Sequence, residues 1–228
     1  MLKAVIFDID GTLYDYDAAH ARAFAALTDY ACDAFGLTPA RFEELHHEAD
    51  MLLRQRAGVN CAAIHNRLLR YQVILELTGQ PVGFAPTLER LYWDTLLLWM
   101  KPNSGLHEAF DFIKSKGLIL GIGTNMTADW QYVKLEKLGV LHQVDFMVTS
   151  EETSAEKPDP RLFELCTEKA KCPPSECAFV GDSLKGDALG AKAAGMRPIW
   201  LHDGAVTTVD FPTIPSLEAL PDLLAKEC

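Results

Sequence analysis

Apolar positions along the chain follow two rhythms, and the change between them comes early. In residues 2–8 the run Ala4, Val5, Ile6, Phe7 is apolar throughout, as in a strand buried on both faces. From about residue 17 to residue 100 the spacing is helical only, in four segments. The first opens near Asp17 as its N-cap and carries Phe24, Leu27 and Ala31 on one face before Gly36. The second has Thr38 as cap and Pro39 in its first turn, then Phe42, Leu45, Ala49 and Leu52, closing at Gly58. A third runs from Asn60 to Gly79 with Ile64, Leu68, Tyr71 and Leu75 in step. The fourth starts at Pro86, carries Leu88, Leu91, Tyr92 and Leu98, and is stopped by Pro102.

Beyond Pro102 strands and helices alternate. A helix from Ser104 to Gly117 (Leu106, Ala109, Phe110, Ile113) precedes a strand at 118–122 and a helix capped by Thr127. A strand at 146–148 precedes a helix opening with Asp159 and Pro160. A strand at 178–180 is followed by a helix ending at Gly195, a strand at 199–201 and a last helix at 217–224. Uniformly apolar strands alternating with helices predict an α/β fold, a doubly wound parallel sheet covered on both faces. The helical block then reads as an all-helical insertion after the first strand, with a core of 1–16 and 101–228 and a four-helix insert of 17–100.

Composition narrows the function. The 228 residues are 49% hydrophobic, enough to bury a real core, and the net charge of -11 argues against broad binding to a nucleic-acid backbone. The longest apolar runs are too short to cross a bilayer, and the first strand begins almost at Met1, which predicts no leader. Cys32, Cys61, Cys166, Cys172, Cys177 and Cys228 show no zinc spacing or C-x-x-C pair, so reduced thiols and a cytoplasmic location are expected. Gly121-Ile122-Gly123 lacks a third glycine, with Met126 in its place, so no dinucleotide cofactor is expected.

In such a sheet ligands bind beyond the carboxyl ends of the strands. Four positions fall there: Asp8 with Asp10, then Thr124, Lys157 and Asp182. Alternation places Asp8 and Asp10 on one side, where two like charges call for a cation or a shared proton. Singly, Thr124 reads as a loop residue, Lys157 as a solvated lysine and Asp182 as a helix cap; Asp15 and Asp17 read as turn and cap. Together, three carboxylates, a hydroxyl and an ammonium suit a magnesium ion beside a phosphate, a phosphoryl-transfer site.

Four motifs carry a resemblance to the haloacid dehalogenase superfamily. They are Asp8-Ile9-Asp10-Gly11-Thr12-Leu13, Thr124-Asn125, Glu156-Lys157-Pro158-Asp159-Pro160, and Gly181-Asp182-Ser183 with Asp187 running into Gly190 to Met196. The resemblance implies a Rossmann-like core and a helical cap at the place of the insert. It implies Asp8 as nucleophile forming an aspartyl-phosphate, and Asp10 as the acid and base. Thr124 and the Asn125 backbone would hold phosphoryl oxygens, and Lys157 would neutralise developing charge. Mg2+ would be bound by Asp8, the Asp10 carbonyl and Asp182, with Asp187 supporting the loop. Asp10 favours phosphate monoesters over the family's dehalogenases and phosphonatases, which lack it. Ser150-Glu151-Glu152 before Glu156 is similar to the branch of noncanonical pyrimidine nucleotidases and acylneuraminate phosphatases.

The expected activity is therefore a magnesium-dependent phosphatase of small metabolites such as nucleotides, flavin mononucleotide or sugar phosphates. A sugar phosphomutase and a non-catalytic phosphometabolite-binding regulator are the alternatives. The partner is a small phosphorylated substrate, without nucleic acid polymer or membrane, the chain being a monomer or homodimer. Arg22, His46, His47, Arg54, His65, Arg70 and Tyr71 in the insert are candidates for setting the substrate.

Overall fold

Every residue of β1 (Ala4–Phe7) is buried, and its partners come from far along the chain. The computed structural model, which describes residues 1–204 and 208–226, continues with four long helices. These are α1 (Tyr16–Phe35), α2 (Pro39–Ala57), α3 (Arg67–Thr78) and α4 (Ala85–Trp99). The alternating region then gives α5 (Leu106–Ser115), β2 (Ile119–Thr124), α6 (Ala128–Lys137), β3 (Phe146–Thr149), α7 (Ser150–Thr153) and α8 (Pro160–Ala170). It closes with β4 (Cys177–Gly181), α9 (Leu189–Ala193), β5 (Arg197–Leu201), β6 (Thr213–Ile214) and α10 (Leu220–Leu224). The chain divides into two compact units, Met1–Asp15 with Lys101–Cys228, and Tyr16–Met100.

In the first unit all strands pair in parallel in the order β3-β2-β1-β4-β5-β6. β1 is central, with Phe7 beside Ile122 on β2 and Val180 on β4. Successive side chains of a strand face opposite ways. Ile6 accordingly joins Leu162, Phe163 and Cys166 of α8 with Phe179, while the Phe7 ring lies 5.0 Å from that of Phe110 on α5. Both faces are thus covered, as a doubly wound sheet requires. On α5 the buried positions Leu106, Ala109, Phe110 and Ile113 follow the helical stripe, and burying Phe110 alone contributes roughly 2–3 kcal/mol. β6 was not expected, being only two residues long, and the predicted helix ending at Gly195 opens with a π-helical turn over Leu184–Ala188.

The second unit holds the four helices, with local departures from the expected stripes. α1 starts at Tyr16, so Asp17 stands in its first turn, where its charge suits the helix dipole, and is not the cap. The third segment begins with a 3-10 turn, Ala62–His65, because Asn66 caps α3 by accepting from the Leu69 N–H at 3.0 Å. Leu53 and not Leu52 continues the buried Leu45, Ala49 stripe of α2. On α4 the stripe runs Leu88, Tyr92, Leu96, which leaves Leu98 73% exposed. No helix among the described residues is long and apolar enough to cross a membrane. Among the described residues five cysteines are unpaired; Cys228 lies outside them.

Candidate active site

The carboxyl ends of β1, β2 and β4 release three short loops, and the expected residues of the first unit meet there. β1 ends at Phe7, so Asp8 leaves the sheet with its N–H still bonded to the Val180 carbonyl at 3.0 Å. Gly11 follows at φ +88, and a Cβ there would stand 2.5 Å from Asp182 Oδ2. Glycine is thus required twice over, by backbone conformation and by the close approach of an acidic side chain. Thr12 stitches the first loop to the last: its hydroxyl donates to Asp182 Oδ1 at 3.0 Å and accepts from the Asp182 N–H at 3.1 Å. Gly181 allows an equally close approach by Asp187, whose carboxyl carbon would lie 2.3 Å from an added Cβ. Asp187 in turn accepts from the Ser183 N–H at 2.9 Å, so it braces the loop that carries Asp182.

Carboxylate oxygens of Asp8, Asp182 and Asp187 all lie within 4.8 Å of one another. Among the described residues Lys157 is the cation paired with them. Lys157 Nζ is 2.7 Å from Asp8 Oδ1 and 2.7 Å from Asp187 Oδ1, with 5% of its side chain exposed. It also donates to the Gly123 carbonyl at 3.1 Å, and its backbone N–H donates to Asn125 Oδ1 at 2.8 Å. The lysine read singly as solvated is therefore buried, tying its own loop to the end of β2.

The electrostatics follow from three negative charges against one positive. Burial, partly offset by Lys157 and reinforced by Asp187, pushes the Asp8 carboxyl up to about 6. Burial and then Asp8 raise Asp182. Burial would lower Lys157, but Asp187 and Asp8 outweigh it and hold the ammonium charged. A site this short of positive charge, built of hard oxygen donors, fits a divalent cation such as Mg2+.

Asp10 is arranged differently. Its carboxylate is paired with Lys134 Nζ at 2.6 and 2.8 Å, accepts from the Tyr14 hydroxyl and lies 3.3 Å from Gln131 Nε2. Burial would raise its pKa, yet Lys134, Tyr14 and Gln131 together bring it below the ordinary value. The Asp10 carboxylate is thus engaged by these three residues and lies outside the grouping of Asp8, Asp182 and Asp187, so its carbonyl is the contribution expected toward a cation. The same Gln131 amide nitrogen donates to Thr124 Oγ1 at 2.8 Å and to the Asn125 carbonyl at 3.0 Å.

No motif in the sequence marks Lys134, Gln131 or Tyr14. The available signal was a helix after Thr124-Asn125 whose buried stripe, Gln131, Lys134, Leu135, carries polar residues at two core positions. Asp182 does not cap the next helical turn; Ser183 does, accepting from the Gly186 N–H at 3.0 Å.

In the helical unit the seven candidates separate. Arg70 is buried and donates to Asp50 Oδ1 at 2.6 Å and to the Ile64 carbonyl at 2.7 Å, while Arg54 takes Asp50 Oδ2 at 2.7 Å. His46 packs against Phe24 and Phe42, and burial with Arg70 nearby pushes it down to about 3. Tyr71 is fully buried, His65 half-buried, and Arg22 lies over the Trp99 ring; His47 is exposed. Arg67, absent from that set, is also buried and donates to the phenol oxygens of Tyr16 and Tyr92 at 3.0 and 3.3 Å.

A family model for haloacid dehalogenase-like hydrolases matches residues 2–195. A ribulose-1,5-bisphosphate 5-phosphatase of Halopiger xanaduensis is 34% identical over 202 residues, 87% of this chain and 84% of that protein. A glyceraldehyde 3-phosphate phosphatase of Methanothermobacter thermautotrophicus is 33% identical over 203 residues, covering 89% and 86%. Among solved structures, a 2-haloacid dehalogenase from Pseudomonas syringae pv. Tomato superposes with a TM-score of 0.81 at 28% identity, over 100% of both chains.

Proposed function

Because the chain belongs to the haloacid dehalogenase-like hydrolases and is a phosphatase, we propose that it hydrolyses phosphate monoesters of small sugars through Asp8, with Mg2+ as cofactor. The observation that carries this reading is the division of labour on the rim. Asp8 lies in the acidic cluster with Asp182 and Asp187, against Lys157, while Asp10 is held apart by Lys134. Two carboxylates two residues apart in sequence are given different surroundings, and different surroundings give different chemistry.

In the first half-reaction an Asp8 oxygen attacks phosphorus and the bond to the ester oxygen breaks. Asp10 delivers a proton to that oxygen, which leaves as an alcohol. In the second, a water attacks the aspartyl-phosphate, Asp10 takes its proton, and Asp8 is restored with release of inorganic phosphate. The Thr124 hydroxyl and the Asn125 main chain are the donors to the phosphoryl oxygens, and Lys157 holds Asp8 and neutralises charge as it develops. Asp8, the Asp10 carbonyl and Asp182 would hold Mg2+, with Asp187 beside them. When bound, the ion supplies the positive charge that lets a carboxylate and a phosphate dianion approach.

Sugar phosphates are supported by the names of the two relatives, both of which act on phosphorylated small carbohydrates. The 2-haloacid dehalogenase shares the architecture, but Asp10, with its own lysine, supports oxygen as the leaving atom. We place the enzyme in the cytoplasm, and assign the helical unit, Tyr16–Met100, as the cap that selects the substrate. The test is phosphate release from p-nitrophenyl phosphate and a panel of sugar phosphates with Mg2+. Release should vanish on chelation and in Asp8→Asn; turnover that survives either would overturn the mechanism.

A further inference from the structure

Among the described carboxylates of the rim Asp10 stands apart from the acidic cluster, held there by two residues of one helix face together with Tyr14. Lys134 is wholly buried and lies three residues beyond Gln131 on α6, so the two side chains project from the same face toward the end of β2. A buried ammonium without a fixed counter-charge is costly, and this one meets both Asp10 oxygens. Gln131 Nε2 and the Tyr14 hydroxyl add two more donors from separate segments. Bidentate contact from Lys134 with these side donors fixes both the position and the plane of the carboxylate. Because the Gln131 amide also reaches Thr124 Oγ1 and the Asn125 carbonyl, the same face sets the distance between the proton carrier and the phosphate-holding turn.

We propose that Lys134, supported by Gln131, is the positioning residue for Asp10, holding its carboxylate in the one orientation that serves the leaving oxygen. The inference rests on the phosphatase reading above, with Asp10 as proton carrier. Lys134 touches no substrate in this scheme; it acts through Asp10 alone.

Leaving-group dependence tests this. kcat/KM covers events up to the first irreversible step, here cleavage of the ester bond. A p-nitrophenolate leaves without a proton, whereas an alkoxide needs one. Lys134→Met should lower kcat/KM for glycerol phosphate by about 10- to 100-fold, and for p-nitrophenyl phosphate several times less. Asp10→Asn should show the same pattern. In the Asp10→Asn background, Lys134→Met should add less than about a twofold loss, since the partner it positions is gone.

Equal losses on both esters, or losses that multiply in the double variant, would show that Lys134 serves only the fold and would overturn the proposal. Should Lys134→Met fail to fold, Gln131→Leu leaves the ion pair in place and carries the same test with the same sign. A wild type that hydrolyses both esters with an unmoved ratio in the variants overturns this inference alone. A wild type that hydrolyses neither overturns the reading beneath it and this inference with it.

Discussion

Replacing Lys157 with methionine keeps the length of the side chain and deletes an ammonium in contact with two buried carboxylates. Lys157 Nζ stands 2.7 Å from Asp8 and 2.7 Å from Asp187, with 5% of its side chain exposed. Removing one partner of a buried ion pair costs about 3–5 kcal/mol, because the charge left behind has lost its water as well as its counter-ion. The loss should depend on pH in a definite sense. Asp8 already sits at about 6 with the lysine present, and without it the carboxyl must rise further. A carboxyl whose folded pKa lies above its unfolded value destabilises the fold increasingly as pH climbs from the unfolded value to the folded one. Lys157 itself stays charged throughout, its pKa being held above the ordinary lysine value, so the lysine's own charge does not change in the wild-type reference. Lys157→Met should therefore be most destabilised at pH 8 and recover toward pH 5, by about 1.4 kcal/mol for each unit that Asp8 rises. Urea unfolding followed by circular dichroism reads this directly. With a slope of a few kcal/mol per molar, the midpoint at pH 8 should fall by roughly 1–2 M. Adding Asp187→Asn, which removes one of the stranded charges, should return part of the loss. A shift below about 1 kcal/mol, or one equal at both pH values, would refute the reasoning.

Two further outcomes follow from the same rim. Because Asp8 takes up a proton near pH 6, Mg2+ must compete with it, and affinity measured by calorimetry should fall about tenfold from pH 8 to pH 5; Asp8→Asn should abolish that dependence, and an unchanged wild-type affinity would contradict it. Gly11→Ala forces a side chain into φ +88 and against Asp182, and should lower the thermal midpoint by several degrees and suppress phosphate release; a variant with the midpoint and turnover of the wild type would refute the role given to that glycine.

The parallel sheet was legible because its strands are uniformly apolar, and its helices because their stripes repeat at helical spacing. Asp8, Asp10, Thr124 and Asp182 were legible as a rim because each falls at or just beyond a strand end, where the topology has to bring them together, while Lys157 comes in from the loop between α7 and α8. Other features left weaker traces. No motif marks Lys134, and only its burial on α6 brings it to Asp10, since helical periodicity places a residue on a face without saying what that face meets. Helical spacing admits Leu98 and Leu52 to stripes that Leu96 and Leu53 occupy, a difference of one or two positions that periodicity tolerates and packing does not. β6, with two residues, offers no period at all.

The order of the strands also bears on how this enzyme dies. Asp8, Thr124 and Asp182 emerge from β1, β2 and β4, the three adjacent strands in the middle of the unit, whose backbone amides should be the last to exchange with deuterium. The loops that carry the acidic cluster are thus anchored on the most protected part of the unit. The backbone ends that carry Asp8, Thr124 and Asp182 should then separate only when the central sheet itself is lost.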